Sequence, residues 1–323
     1  MSKKNNTKNV PSVTDLFGTP STEESVLEQI QLPSAAKSNN IENDSALQYY
    51  DYKKVNDLVK DKESHHQEDL QRIRGLRLID DDFMNVCFDE NIEGTEFILR
   101  IILNNPDLSV QSVKTQKVMK NLLGRDVWLD IDATDADGNE LDIEIQRSDK
   151  GADRKRARYH SSILDAHLLK PNEDFKNLPE TYVIFITEHD VIGGNLPMYT
   201  IERQITNMGQ PFNDGAHIIY VNGAYKNSST ELGKLMHDFF CTNPDDMNFK
   251  QLADKVRYYK EDEKGVTAMC KVMEDMRENM KEETKIITAI NLLKLGKLTT
   301  EEIAQALDLS VDKVAELAKI QGR

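Results

Sequence analysis

Residues 127–146 constrain the fold of this chain more than any other stretch. Val127, Leu129, Ile131 and Ala133 alternate with Trp128, Asp130, Asp132 and Thr134. Further on, Leu141, Ile143 and Ile145 alternate with Asp142, Glu144 and Gln146. A period of two sends successive side chains to opposite faces, so each run reads as a half-buried strand. Between them, Ala136-Asp137-Gly138 suits a three-residue hairpin loop with Gly138 in the left-handed conformation. Such a loop pairs Asp135 with Asn139. Counting outward sets Asp130 opposite Glu144, Asp132 opposite Asp142 and Trp128 opposite Gln146, with the apolar residues together on the other face. A two-residue loop would set Asp130 against Ile145 and polar against apolar side chains throughout, a costly slip. The favoured register places like charges directly across from one another, which destabilises a sheet by itself. A hard divalent cation, Mg²⁺ or Mn²⁺, would compensate, because it prefers carboxylate oxygens. The plainer alternative is a polar sheet face turned to water.

The flanking patterns supply the rest of a core. Phe83, Val86 and Cys87 begin an apolar helical face, Phe97, Ile98, Ile101 and Ile102 continue one, and Pro106 ends it. Leu108, Val110 and Val113 read as a short strand, and residues 150–169 as a helix. TYVIFIT (181–187) is a buried strand, rich in β-branched and aromatic residues. MYTIERQI (198–205) and HIIYV (217–221) are two further strands, and everything after about Ser229 reads as helix. From 93 to 187 the order is helix, three strands, helix, strand.

Composition bounds the alternatives. Residues 1–45, rich in Ser, Thr, Asn, Lys and Pro, read as a disordered polar tail, and 46–77 as a charged helical lead-in. His65 and His66 are adjacent there and point about 100° apart on a helix, which is poor geometry for shared ligation. The three cysteines, Cys87, Cys241 and Cys270, show no paired spacing, which fits a reducing compartment and argues against a disulfide framework or zinc ribbon. No stretch is apolar for long enough to span a membrane, and no apolar segment follows the basic start, so the expectation is a soluble cytoplasmic protein. The formal net charge of -15 argues against a protein that coats nucleic acid broadly. A phosphate-bearing substrate would require a local basic patch near the chemistry. Phosphate-cradling G-x-x-x-x-G-K-[ST], the nucleophile elbow G-x-S-x-G and the zinc motif H-E-x-x-H are all missing, and Gly193-Gly194 fits a loop between strands.

The string L-D-I-x-A-x-D-x-x-G followed by I-E-I-Q-R resembles the catalytic core of the PD-(D/E)xK nuclease superfamily, in which a strand carrying Asp precedes a strand carrying (D/E)-x-K. It looks most like the Rpn-type recombination-promoting nucleases, also called PD-(D/E)xK family transposases. RARYHSSILDAHLL (156–169), PETYVIFIT (179–187), LPMYTIE (196–202) and GVTAMCKVMEDM (265–276) are similar to that branch as well, in the same order. The resemblance covers roughly Leu78 to the C-terminus. It implies an α/β, restriction-endonuclease-like core around a central mixed sheet over residues 78–228, followed by a mostly helical region over 229–323. It implies Asp130, Glu144 and Gln146 as catalytic residues. Asp130, Glu144 and the Ile145 backbone carbonyl would hold Mg²⁺ or Mn²⁺. The implied activity is that of a metal-dependent DNA endonuclease or transposase linked to recombination or mobile elements. Gln146 departs from the superfamily's Lys, although Gln looks usual in this branch.

Gln146 cannot supply the charge of a Lys, so Arg147 or an arginine of the next helix is the expected substitute. Glu96 is a candidate additional acid, and Asp132 and Asp142 lie further along the acidic face. Lys150, Arg154, Lys155, Arg156 and Arg158, with Arg147, form the local basic patch expected to contact DNA phosphates. Its alternative is a solvated charged face. His160 and His167, seven residues apart on the same helix, read as structural or exposed. Residues 295–317 resemble a helix-turn-helix, with a capping box at Thr299 and Glu302 and an N-cap at Ser310. The second helix opens with Val311, Asp312, Lys313 and Glu316, a poor set for meeting phosphates, so a structural or partner-docking role is preferred, with a homo-oligomer through the C-terminal helices as one form of it. Met269, Met273, Met276 and Met280 sit at helical spacing, as a core or interface stripe would. The competing function is a catalytically inactive nuclease-like module that binds DNA or protein; a third is a scaffold working through its acidic helices.

Overall fold

The computed structural model describes residues 64–121, 124–147 and 149–320. The expected disordered tail and most of the helical lead-in lie outside the described residues. The chain divides between Glu68 and Asp69, and the architecture below is that of the second unit, Asp69–Arg323.

Helices α1 (Asp81–Phe88) and α2 (Ile92–Ile102) precede three strands, β1 (Val110–Met119), β2 (Val127–Asp135) and β3 (Glu140–Gln146). Helix α3 (Arg154–Leu168) then leads to β4 (Thr181–Thr187). After it come β5 (Met198–Ile201), the two-residue strands β6 (Gln204–Ile205) and β7 (Gln210–Pro211), and β8 (Ala216–Asn222). The main sheet has the order β1-β2-β3-β4-β8-β5. Strands β1, β2 and β3 are antiparallel neighbours, β3, β4 and β8 run parallel, and β5 closes the edge antiparallel to β8. A parallel β3–β4 pair needs a crossover, which α3 provides. Val183, Ile184, Phe185 and Ile186 of β4 are all buried, as expected of a strand covered on both faces.

The two faces carry separate cores. On one, Ile131, Ile143, Ile145 and Ile184 meet Phe83 and Phe88 of α1 and Ile98 of α2. On the other, Leu129, Val183, Phe185 and Tyr220 meet Ala157 and Leu164 of α3. This is the six-stranded mixed α/β arrangement of a restriction-endonuclease-like fold.

The hairpin register is the one the turn chemistry requires. Asp132 pairs with Asp142, Ala133 with Leu141 and Thr134 with Glu140. Asp135 N–H donates to the Asn139 carbonyl at 3.1 Å, and Gly138 has φ +84°. The ladder ends at Ile131 and Ile143, however, so neither Asp130 and Glu144 nor Trp128 and Gln146 are paired in it, contrary to the expected register.

Three expectations need correction. Parity alone puts Val127, Leu129, Ile131 and Ala133 on one face, yet the first two join the α3-side core and the last two the α1-side core. The change falls at Asp130, whose β1 counterpart, Gln116, has φ +53°. Both drop out of a β1–β2 register that is otherwise constant from Ser112 to Met119, so β2 turns over at this point, while Leu141, Ile143 and Ile145 of β3 all stay in the α1-side core. Residues 198–205 are not one strand: β5 ends at Ile201, and 204–205 pair with β7 instead, beside the exposed Arg203–Asp214 ion pair. The helix expected over 150–169 begins at Arg154, where the Asp153 carboxylate accepts the Lys155 N–H at 2.8 Å.

Beyond Ser229 the elements are helical: α4 (Glu231–Phe240), α5 (Lys250–Glu261), α6 (Glu263–Leu295), α7 (Thr300–Leu307) and α8 (Val311–Ile320), with one 3₁₀ turn at Pro244–Asp246. The capping box forms, with Thr299 N–H donating to Glu302 at 2.8 Å and Glu302 N–H to Thr299 Oγ1 at 3.1 Å. Helices α7 and α8 pack on the end of α6 through their own small core of Ala289, Leu293, Ile303, Ala304, Val314 and Leu317. The methionine stripe divides: Met269 and Met273 are buried in the main core, while Met280 is exposed. Among the described residues, no helix is long and apolar enough to cross a membrane.

Candidate active site

Strands β2 and β3 part just beyond the Ile131–Ile143 pair, and two acidic side chains occupy the opening. Asp130 N–H donates to Glu144 Oε1 at 3.2 Å, and Ile145 N–H donates to Asp130 Oδ2 at 2.9 Å. Each carboxylate thus satisfies a backbone donor of the other strand. This reciprocal clasp holds Asp130 and Glu144 together at the point where β2 turns over.

Helix α3 covers the pair. Glu144 is completely buried, and its Oε2 accepts from Arg156 Nη2 at 2.7 Å. The same guanidinium donates through Nη1 to Gln146 Oε1 at 3.2 Å and to the Gly151 carbonyl at 3.0 Å. Its Nε donates to His160 Nε2 at 3.3 Å. His160 Nε2 is therefore an acceptor, so the neutral ring carries its proton on Nδ1, 3.1 Å from Asp142 Oδ2. Nδ1 also lies 3.6 Å from Glu144 Oε1. The spacing of Arg156 and His160, one helical turn apart, brings both to this face of α3.

The directly opposed Asp132 and Asp142 each have one cationic or proton-donating neighbour: Asp132 Oδ2 accepts from Lys117 of β1 at 2.6 Å, and Asp142 faces His160. Their other oxygens, Oδ1 in both cases, are buried and have no hydrogen-bond partner among the described residues.

Burial dominates the acid–base behaviour. The Asp130 carboxyl is pushed up to about 6, chiefly by desolvation; the Ile145 N–H pulls it down, nearby Asp81 pushes it up, and Arg156 and His160 pull it down. Glu144 is raised well above the ordinary value by burial, then by Asp142 and Asp130, against the pull of His160 and Arg156. Asp142 is raised well above it by burial and by Asp130. Burial lowers His160, against the pull of Glu144. The site thus gathers carboxylates that resist ionising together and a neutral imidazole. Asp142, Glu144 and His160 each offer a ligand atom within 4.8 Å of one another. Two orphaned carboxylate oxygens, an oxygen-rich donor set and excess negative charge fit a divalent cation.

The expected site residues separate in space. Asp130, Glu144, Gln146 and Arg156 come together. Arg147, next along β3, turns to the other face and pairs with Asp80 at 3.0 Å and Glu188 at 3.6 Å. Of the two arginine sources considered, the helix therefore supplies the cation. Glu96 lies at the far end of β2: it pairs with Arg100 at 2.6 Å and accepts the N–H of Val110, which faces Asp135. Arg154, Lys155 and Arg158 are exposed along α3, and the Lys150 side chain lies outside the described residues. His160, read from sequence as structural or exposed, is 4% exposed and part of the cluster. Lys117, which reaches Asp132 from β1, and Asp81, whose charge is felt at Asp130, carried no local signal, since both lie on elements distant in sequence.

A mixed sheet whose second and third strands part around an Asp and a Glu, with Gln two residues beyond the Glu, resembles the core of the PD-(D/E)xK nucleases. The model of the family described as PD-(D/E)XK nuclease family transposase matches residues 95–237, from α2 into α4, and so contains the whole hairpin. No curated protein and no solved structure matches the chain.

Proposed function

We propose that this protein is a divalent-cation-dependent DNA endonuclease, serving recombination or the movement of mobile elements. The observation that carries the proposal is the clasp of Asp130 and Glu144 where β2 and β3 part, with Arg156 bonded to Glu144 and to Gln146. Asp130, Glu144 and the Ile145 carbonyl are the proposed ligands. Bound there, Mg²⁺ or Mn²⁺ supplies a Lewis acid that polarises the scissile phosphodiester and lowers the pKa of water to the point of attack.

The chain's own groups do the rest. Arg156, held beside Glu144 and Gln146, would place its guanidinium to bind the non-bridging phosphate oxygens, as the superfamily's Lys would. Gln146 orients the attacking water through its side-chain amide. His160, fixed by Asp142, keeps Glu144 aimed at the opening. Arg154, Lys155 and Arg158 hold the flanking phosphates. Helices α6 to α8, with Met280, Ile287 and Leu295 exposed on α6, are the proposed surface for self-association.

Nicking of supercoiled plasmid in Mg²⁺ or Mn²⁺ tests the reading. Asp130→Ala and Glu144→Gln should each cut at least about 100-fold more slowly than wild type. If cleavage survives both substitutions, the assigned site is wrong. The alternative, an inactive DNA- or protein-binding module, draws on one specific observation: Arg156 already pairs with Glu144. Under that reading the wild type binds without cutting in either cation.

A further inference from the structure

The catalytic reading leaves Trp128 unused. It is the only tryptophan in the chain, and it is 58% exposed on β2, two residues before Asp130. Its strand neighbours Val127 and Leu129 are buried, so nothing in the packing of β2 requires an indole at this position. Trp128 lines a cleft between the start of β2 and helix α3, together with Arg125, Lys155, Arg156, Tyr159 and His160. Asp126 lies there too, but its carboxylate is engaged by Lys120 at 2.8 Å and by the Asn121 N–H at 2.8 Å. Tyr159 is fixed as a wall: its hydroxyl donates to the Arg125 carbonyl at 2.7 Å and accepts from Asn121 Nδ2 at 2.9 Å. The cleft is continuous with the active site, because Arg156 and His160 line the one and contact Glu144 in the other.

We infer that this cleft binds an unpaired segment of a DNA strand, with one base stacked on Trp128 beside the scissile phosphate. The inference deepens the proposed function and rests on it for the word scissile. A groove that combines cations with an exposed aromatic ring is the chemistry of single-strand recognition: the cations follow the phosphates, and the ring takes a base face. In an intact duplex both faces of a base are covered by its neighbours, so an indole on a groove wall has no base face to meet unless one is unstacked. Two residues along a strand span about 6.6 Å, so the stacked base belongs to a nucleotide near the one whose phosphate meets Asp130 and Glu144. The expected substrate is therefore a nick, flap, bubble or single strand.

The lone tryptophan is its own reporter. Full-length protein in chelator, where no metal-dependent cutting occurs, is titrated with oligothymidylate, with an abasic oligomer of equal length, with a blunt duplex and with oligouridylate. Saturable quenching by oligothymidylate, with little by the abasic oligomer or the duplex, is expected. Read by the anisotropy of end-labelled oligomers, since the variants lack the reporter, Trp128→Ala should weaken oligothymidylate binding about ten-fold and leave the abasic oligomer's affinity unchanged, and Trp128→Phe should retain most of the affinity. Equal quenching by duplex and single strand, or an unaltered affinity in Trp128→Ala, would overturn the inference. Tighter binding of oligouridylate would overturn its assignment to DNA. None of these measurements contains a cleavage step. Absence of cutting by wild type in Mg²⁺ would thus sink the nuclease reading alone, while failure of quenching would sink only this one.

Discussion

Arg156 has four partners: Glu144, Gln146, Gly151 and His160. It is also the counter-charge of an acid with no exposure at all. Removing it should strand Glu144 in the interior. With the guanidinium itself 37% exposed, the loss of stability in chelator should be about 2 kcal/mol, below the range for a fully buried pair. Urea unfolding of Arg156→Ala checks this, and saturating Mg²⁺ should recover much of the loss. Glu144→Gln should behave oppositely. It discards a charge that burial disfavours, so thermal unfolding in chelator at pH 8 should show it at least as stable as wild type. Titration separates the states further. Asp130 binds its proton more tightly folded (about 6) than at its ordinary value of 3.8. Between those values the native state holds more protons than the unfolded one, so this contribution to stability is present at low pH and falls as pH rises. Glu144 and Asp142, also raised, extend the fall upward. In chelator, wild type should lose more melting temperature from pH 5 to pH 8 than Asp130→Asn does, and divalent cation should restore more at pH 8 than at pH 5. Equal losses in the two proteins would contradict the assignment of these shifts.

At the scale of elements, the hairpin was legible because everything that specifies it is local: two runs of period two, a three-residue loop and one left-handed glycine. The pairing of Asp132 with Asp142 follows from counting alone. What escaped the reading came from outside the hairpin. Lys117 answers Asp132 from β1 and His160 answers Asp142 from α3, so side chains offset part of the like-charge penalty that the sequence reading assigned to a cation. The turning over of β2 was hidden for the same reason, since it depends on the backbone of Gln116 in the neighbouring strand. A non-glycine residue with φ +53° is strained. Gln116→Gly should therefore be neutral or stabilising, whereas Gln116→Val, which adds a β-branch, should cost about 1–2 kcal/mol. Urea midpoints of the two variants measure the difference. Equal stability would mean that the left-handed residue does not hold the turn.

For the whole molecule, an acidic chain of net charge -15 that binds DNA, as proposed, would have to meet it through a restricted surface. The exposed cations of α3 and the Trp128 cleft supply one beside the acids. The C-terminal helices were predictable as helices, because caps and spacing are local, but their role is not written in spacing. Helices α7 and α8 close over the end of α6 with a core that shares no residue with the sheet's cores. Removing residues 297–323 should leave plasmid cleavage intact while exposing Ala289 and Leu293 and lowering solubility. Loss of cleavage by that truncation would bring these helices into the catalytic unit. The central claim is narrower than any of this: one aspartate and one glutamate, on strands that have just separated, grip a shared ion. Calorimetric titration of Mn²⁺ into wild type, Asp130→Ala and Glu144→Gln tests it directly. The account predicts saturable binding by wild type, weakened at least about ten-fold by either substitution; unchanged affinity in both variants would contradict it.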